Sequence, residues 1–317
     1  MSFPVFDLHC DTALELLGKN LRSPLSLKEN KLHIDLQRAK QLPGLVQCFA
    51  CFTTPDMEKW FGISAEMVFQ LELDVILAEL EKNKRTIRQV YTADDIRANM
   101  EKGKMSAILT IEGPAGFGYD PALLEQLYAV GFRITTLGWN ENSPLCGSHK
   151  TGGGLTELGR EYFREAQRVG MIVDVSHCSD EAFWDMIDIA EKPIIASHSN
   201  ARAVCDVSRN LTDDMFRAIC ATGGVVGINQ YAEFLGKNPD LDTICEHIDH
   251  FITMDPNAEH IALGGDLDGC DTLTEGFTGI ESYPVLAQRL LQRGLTEKMV
   301  ENIYFNNAMG VFEKCCM

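Results

Sequence analysis

No stretch of this 317-residue sequence stays apolar for anything near the ~20 residues that cross a bilayer. A helical membrane span is therefore excluded. Also missing after Met1 is a basic segment leading into an apolar run, and the polar face of interest already begins at Asp7. No cleaved leader is expected, and the expected compartment is the cytoplasm. Positive charge is scarce: 28 Lys and Arg stand against 46 Asp and Glu, a formal net charge of −18. Such a chain suits neither a nucleic-acid backbone nor an anionic membrane as partner. Low-complexity and Pro/Ser-rich linkers are absent, so residues 1–317 read as a single domain. A second cysteine pair of matching spacing, as a four-cysteine zinc site needs, is lacking as well. The eleven cysteines are scattered, and without a secretion signal they read as reduced thiols. Cys48 and Cys51 form a CFAC, yet no second pair matches it, and the run GLVQCFACF reads as a buried strand rather than a zinc or redox motif.

What the chain does have is alternation. The short apolar runs PVFDLH, LVQCFACF, SAILTIE, FRITTL, MIVDVSH, PIIASH, GVVGIN and HIALGGD are separated by helical patterns. In LTDDMFRAICATGG, Thr212 reads as the N-cap, Asp213 and Asp214 as first-turn acids, and Gly223 as the stop. Met215, Phe216, Ile219 and Cys220 recur there at the spacing of one buried helical stripe. SDEAFWDMIDIAEKP repeats the scheme, with Ser179 as cap and Pro193 beyond the end. Eight strands alternating with helices imply an α/β fold with a parallel sheet, and eight is the number that closes a (β/α)8 barrel, the TIM-barrel architecture.

The polar residues favour the barrel over an open sheet. In FDLHCD, the side chains of Asp7, His9 and Asp11 fall on one face of an extended chain. Glu112 ends the third run, GWNEN follows the fourth, and His177 and His198 end the fifth and sixth. Asn229 and Tyr231 follow the seventh, and Asp266 ends the eighth. These are the C-terminal ends of strands, which a barrel gathers onto the face where active sites are built. Three histidines and several carboxylates at one rim suit zinc or a similar divalent ion. His9 with Asp11 can hold one ion, His177 with His198 another, and the two oxygens of Glu112 can bridge them around one hydroxide. Taken singly, each residue has a plainer reading as a turn or capping group; it is their shared register that argues for a site. The other histidines (His33, His149, His247, His250 and His260) lack such placement and read as surface or loop residues.

From DLHCDT through IEGP, GGGLTELGRE, MIVDVSHCSD, PIIASHSNARAVCDVSRN and GGVVGINQY to IALGGDLDG, the chain resembles the membrane dipeptidase (renal dipeptidase) family of metal-dependent hydrolase barrels. The resemblance implies a zinc dipeptidase of the cytosolic bacterial type, acting on dipeptides with free ends, including those with a C-terminal D-residue. It implies two zinc ions per chain, the first on His9 and Asp11, the second on His177 and His198, with Glu112 between them. Asp266 would then sit beside the bridging hydroxide and the substrate's amino end, while Arg209 and Tyr231 would receive its carboxylate. The chemistry of these residue types agrees: a carboxylate can shuttle the proton, and arginine reads a carboxylate through paired hydrogen bonds. In one place the chain departs from the family, which puts an oxyanion-stabilising histidine after the fourth strand where this sequence has Trp139. A homodimer is compatible with this reading. An amidase or lactonase on the same barrel is the alternative activity. A non-catalytic binding protein is disfavoured, because every expected ligand is present.

Overall fold

The structure, a computed structural model, describes residues 3–316. Its strands are β1 (Val5–Asp7), β2 (Leu45–Phe52), β3 (Ile87–Gln89), β4 (Met105–Glu112), β5 (Phe132–Thr136), β6 (Ile172–Asp174), β7 (Ile194–Ile195), β8 (Val226–Ile228) and β9 (Ile261–Leu263). All pair in parallel, in the order β7-β6-β5-β4-β2-β1-β9-β8. A parallel bridge between Ala196 and Val226 brings the two ends of that path together. The result is a (β/α)8 barrel containing each of the eight expected runs. The ninth strand, β3, was not among them; it lies off the closed path and pairs only with the first residues of β4.

Period-two alternation sorts the strand residues into two layers. On β4, Met105, Ala107, Leu109 and Ile111 face the helices, in the cluster that also holds Ile76, Phe163 and Phe216. Ile108 instead joins Phe6, Val46, Ile134, Ile172 and Ile195 inside the barrel. The helix Asn307–Cys315 plugs that interior, its Met309, Val311 and Phe312 packing into the same cluster. Glu112 continues the alternate row of Ile108 and Thr110 and emerges at the opposite, C-terminal mouth. Cys48 and Cys51 lie on opposite faces of β2, the first inside and the second against the helices, so they cannot hold one ion between them. All eleven cysteines are free thiols.

The helix ends follow the sequence closely. Thr212 caps Asp213–Thr222, accepting the Met215 N–H at 3.3 Å, and Gly223 stops it at φ +78°. Ser179 caps Asp180–Ile189 in the same way. His247 differs from expectation. It is fully buried on the helix Leu241–Ile252, with Nδ1 accepting from Ala201 N and Nε2 donating to the Leu235 carbonyl, so it is a core residue tying the loop at Ala201 to the end of the short helix Ala232–Leu235. No helix among the described residues is long and apolar enough to cross a membrane.

Candidate metal centre

β1 ends at Asp7, so His9 and Asp11 stand just beyond the ladder, on the segment leading into the helix Thr12–Leu16. His9 Nε2 faces Asp11 Oδ2 at 3.2 Å, Glu112 Oε2 at 3.3 Å and Asp266 Oδ1 at 3.9 Å. The other oxygen of Glu112 looks the opposite way, 2.9 Å from His177 Nε2 and 3.7 Å from His198 Nε2. Glu112 thus divides its carboxylate between two sets of ligand atoms, and all six side chains are buried. The ligand atoms of His9, Glu112 and His198, and those of His9, Asp11 and Asp266, each lie within 4.8 Å of one another.

Hydrogen bonding decides what these imidazoles can do. His177 Nδ1 donates to Asn140 Oδ1 at 2.9 Å. His198 Nδ1 donates to Ser197 Oγ at 2.6 Å, and the Ser197 hydroxyl donates to Asp174. Burial, with Arg209 near His177 and His9 near His198, holds both rings well below the usual histidine range and therefore neutral. A neutral ring with its proton on Nδ1 has a bare lone pair on Nε2. The two Nε2 atoms nevertheless approach to 2.9 Å, and Glu112 Oε1 joins them. Two bare Nε2 lone pairs at that distance repel one another, and a cation held by them and the Glu112 carboxylate reverses the sign. The donor set, imidazole plus carboxylate, fits zinc.

The carboxylates tell the same story. Burial, aided by Asp11, pushes Glu112 up to about 8. Burial likewise raises Asp266 to about 6, with His9 opposing and Asp11 reinforcing the shift. His9 is carried well above its usual value despite burial, because Glu112 and Asp11 crowd it. Protons are held here where a divalent ion would displace them. Backbone strain marks the same place: His177 and Asp266 adopt φ of +71° and +54°, a region costly for residues with a Cβ.

A cavity of about 580 Å³ opens over the cluster, with Asp11, Glu112, His177 and Asp266 at its floor. Trp139 is half-buried in its wall, its ring 5.0 Å from Phe52, 5.8 Å from Trp60 and 6.1 Å from His177 between centroids. Tyr231 lines the wall beside Phe234. Arg209 is not on this wall. It lies in a smaller recess behind His177, almost wholly buried, with Nη1 on Ser199 Oγ at 2.7 Å while Nε and Nη2 have no partner. Asn229 donates to Asp266 Oδ2 at 3.0 Å.

Several participants escaped the sequence reading. His149 and His33, read as surface or loop residues, do stand on loops, and those loops line the cavity. Asp7 shares its stretch with the ligands but is not one: its carboxylate accepts the N–H groups of His9 and Gly265 and the Tyr283 hydroxyl. Asp174 and Ser197 sit close to His177 and His198 in sequence, and Asn140 lies in the GWNEN stretch after the fourth expected strand; those positions were the only signal of their roles.

The family model described as membrane dipeptidase (peptidase family M19) matches residues 1–316. An uncharacterized dipeptidase of Schizosaccharomyces pombe is 31% identical over 98% of this chain and 80% of its own length. Dipeptidase 3 of Macaca fascicularis is also 31% identical, over 98% of this chain and 65% of its own. Among solved structures, a metallopeptidase from Rhodobacter sphaeroides, liganded with a phosphinate mimic of the dipeptide L-Ala-D-Ala, superposes with a TM-score of 0.89 at 26% identity, over 99% of this chain and all of that one.

Proposed function

Since this chain belongs to the membrane dipeptidase family of metallopeptidases, we propose that it is a two-zinc enzyme cleaving dipeptides with free amino and carboxyl ends, and that residues 1–317 act as one catalytic unit. His9 and Asp11 would hold the first ion and His177 and His198 the second, with Glu112 spanning them through Oε2 and Oε1. Bound there, the pair supplies a water of lowered pKa and polarises the scissile carbonyl. Asp266, oriented by Asn229, takes the proton of the attacking water and returns it to the leaving amine. Tyr231 and Trp139 line the space in which the substrate lies. The structural relative that holds an L-Ala-D-Ala mimic supports a C-terminal D-residue as an accepted substrate here too.

Arg209 carries the choice of dipeptides over other amides. A buried guanidinium with two unused donor atoms is costly unless an anion completes it. A substrate carboxylate entering from the side of His177 supplies two acceptors in the geometry that arginine prefers. The test is a panel of L,L and L,D dipeptides, each offered as free acid and as C-terminal amide, with metal analysis of the purified protein. Preference for the acids and two zinc ions per chain are expected. Equal turnover of acids and amides would shift the reading to a general amidase.

A further inference from the structure

Asp174, the last residue of β6, is buried and is not among the ligands. Its Oδ1 accepts the backbone N–H groups of Ser176 and Ser197, each at 2.9 Å, and its Oδ2 accepts the Ser197 hydroxyl. These donors come from the ends of two neighbouring strands, one residue before His177 and His198. Three donors on one carboxylate is the pattern of an acceptor-only group. Having given its proton to Asp174, Ser197 Oγ can only accept from His198 Nδ1 at 2.6 Å. The chain of hydrogen bonds therefore has a direction, and that direction leaves Nε2 bare. Asp7 holds His9 and Gly265 in a similar way, but only through their backbone N–H groups at 3.1 and 3.0 Å, with no side-chain step to the His9 ring.

We propose that Asp174 and Ser197 are positioning residues that lock His198 in its Nδ1–H tautomer and so keep the Nε2 lone pair available to the second ion. The inference rests on the metal reading of His198 given above. Its consequence is specific. Asp174→Asn keeps the volume and an oxygen for the two backbone N–H groups, but turns the other terminus into a donor facing Ser197. The Ser197 proton must then point elsewhere. His198 Nδ1 at 2.6 Å is a better target than Ser176 Oγ at 3.4 Å, and the imidazole proton moves to Nε2. Ser197→Ala removes the intermediary without imposing the wrong tautomer. Asp174→Asn should therefore be worse than Ser197→Ala, and adding Ser197→Ala to Asp174→Asn should repair part of the damage.

The experiment compares the full-length wild type, both single variants and the double variant. Heteronuclear NMR of the histidine ring nitrogens in zinc-free protein reads the tautomer, and competition with a chromophoric chelator reads zinc affinity. Wild type should show Nδ1–H on His198, and Asp174→Asn should show Nε2–H. One zinc site in Asp174→Asn should weaken by about 10–100-fold while the other is unchanged. The double variant should bind that zinc more tightly than Asp174→Asn. A double variant as weak as or weaker than Asp174→Asn, the outcome of a purely structural role, overturns the proposal, as does an Asp174→Asn protein that keeps Nδ1–H. If Asp174→Asn does not fold, Ser197 decides: Ser197→Thr must keep the wild-type tautomer and Ser197→Ala must lose the preference. Should zinc leave the wild-type His198 Nε2 signal unmoved, the metal reading fails, while the zinc-free tautomers still decide the relay.

Discussion

The rings of His149 and His177 share one acceptor: Asn140 Oδ1 lies 2.8 Å from Nε2 of the first and 2.9 Å from Nδ1 of the second. Burial, with Arg209 and Lys150 nearby, holds His149 down to about 4, so it is a neutral donor to Asn140 over the working pH range. Its other nitrogen then accepts from Ser208, the neighbour of Arg209, at 3.0 Å. One hydrogen-bonded chain thus joins a candidate ligand to the segment that carries the candidate carboxylate clamp. Asn140→Leu should lower zinc retention and reduce kcat/KM by about tenfold or more. Zinc content after dialysis and steady-state kinetics check this. Unchanged values would mean that the backbone alone orients His177.

Asp266→Asn should keep zinc but lose turnover. The amide fills the same space beside Asn229 and cannot accept a proton. A fall in kcat of ~10²-fold or more, with a much smaller change in KM, is expected. Near-normal kcat would place the proton on another group.

Arg209→Met should erase most of the discrimination between a dipeptide acid and its amide. The charge-assisted pair at stake corresponds to roughly 2–4 kcal/mol in kcat/KM. Rates on matched acid and amide substrates, in wild type and variant, give the coupling directly. Retained preference would assign carboxylate recognition to another residue.

Trp139→His should lower kcat/KM rather than raise it. The indole is wedged against Phe52 and Trp60 and forms cavity wall, so a smaller ring leaves space the substrate was using. Selectivity among substrates with large and small side chains should change with it. A gain in kcat would show instead that the position serves the oxyanion.

The chelated protein should lose thermal stability as pH rises from about 7.5 to about 9, above the range in which unfolded histidines titrate. Folding raises Glu112 from 4.5 to about 8 and lifts His9 well above 6.5. Over that window the folded state holds protons that the unfolded chain has released, so stability falls with rising pH. His177 and His198, pushed the other way, are neutral in both states there and do not contribute. Zinc, by replacing the protons, should flatten the profile, and Glu112→Gln should flatten it without metal. Thermal unfolding at four or five pH values is sufficient. A Tm that rises over the window would mean that Glu112 is ionised in the folded, metal-free protein.

How much of this was legible beforehand depended on the range of the forces involved. Alternation of β4 residues, the caps at Ser179 and Thr212 and the stop at Gly223 are set by neighbours a few residues away, and a linear reading captures them. Because parallel strands all present their C-terminal ends to one mouth, the gathering of His9, Asp11, Glu112, His177, His198 and Asp266 followed from those local patterns. Tertiary structure alone decided the remainder. Which oxygen of Glu112 meets which histidine depends on barrel closure. That His149 turns inward, that His247 is core and that Arg209 is buried with free donors depend on loops meeting over tens of residues. The direction of the Asp174–Ser197–His198 hydrogen bonds depends on two strand ends lying side by side, a contact between residues 23 apart that no periodicity encodes.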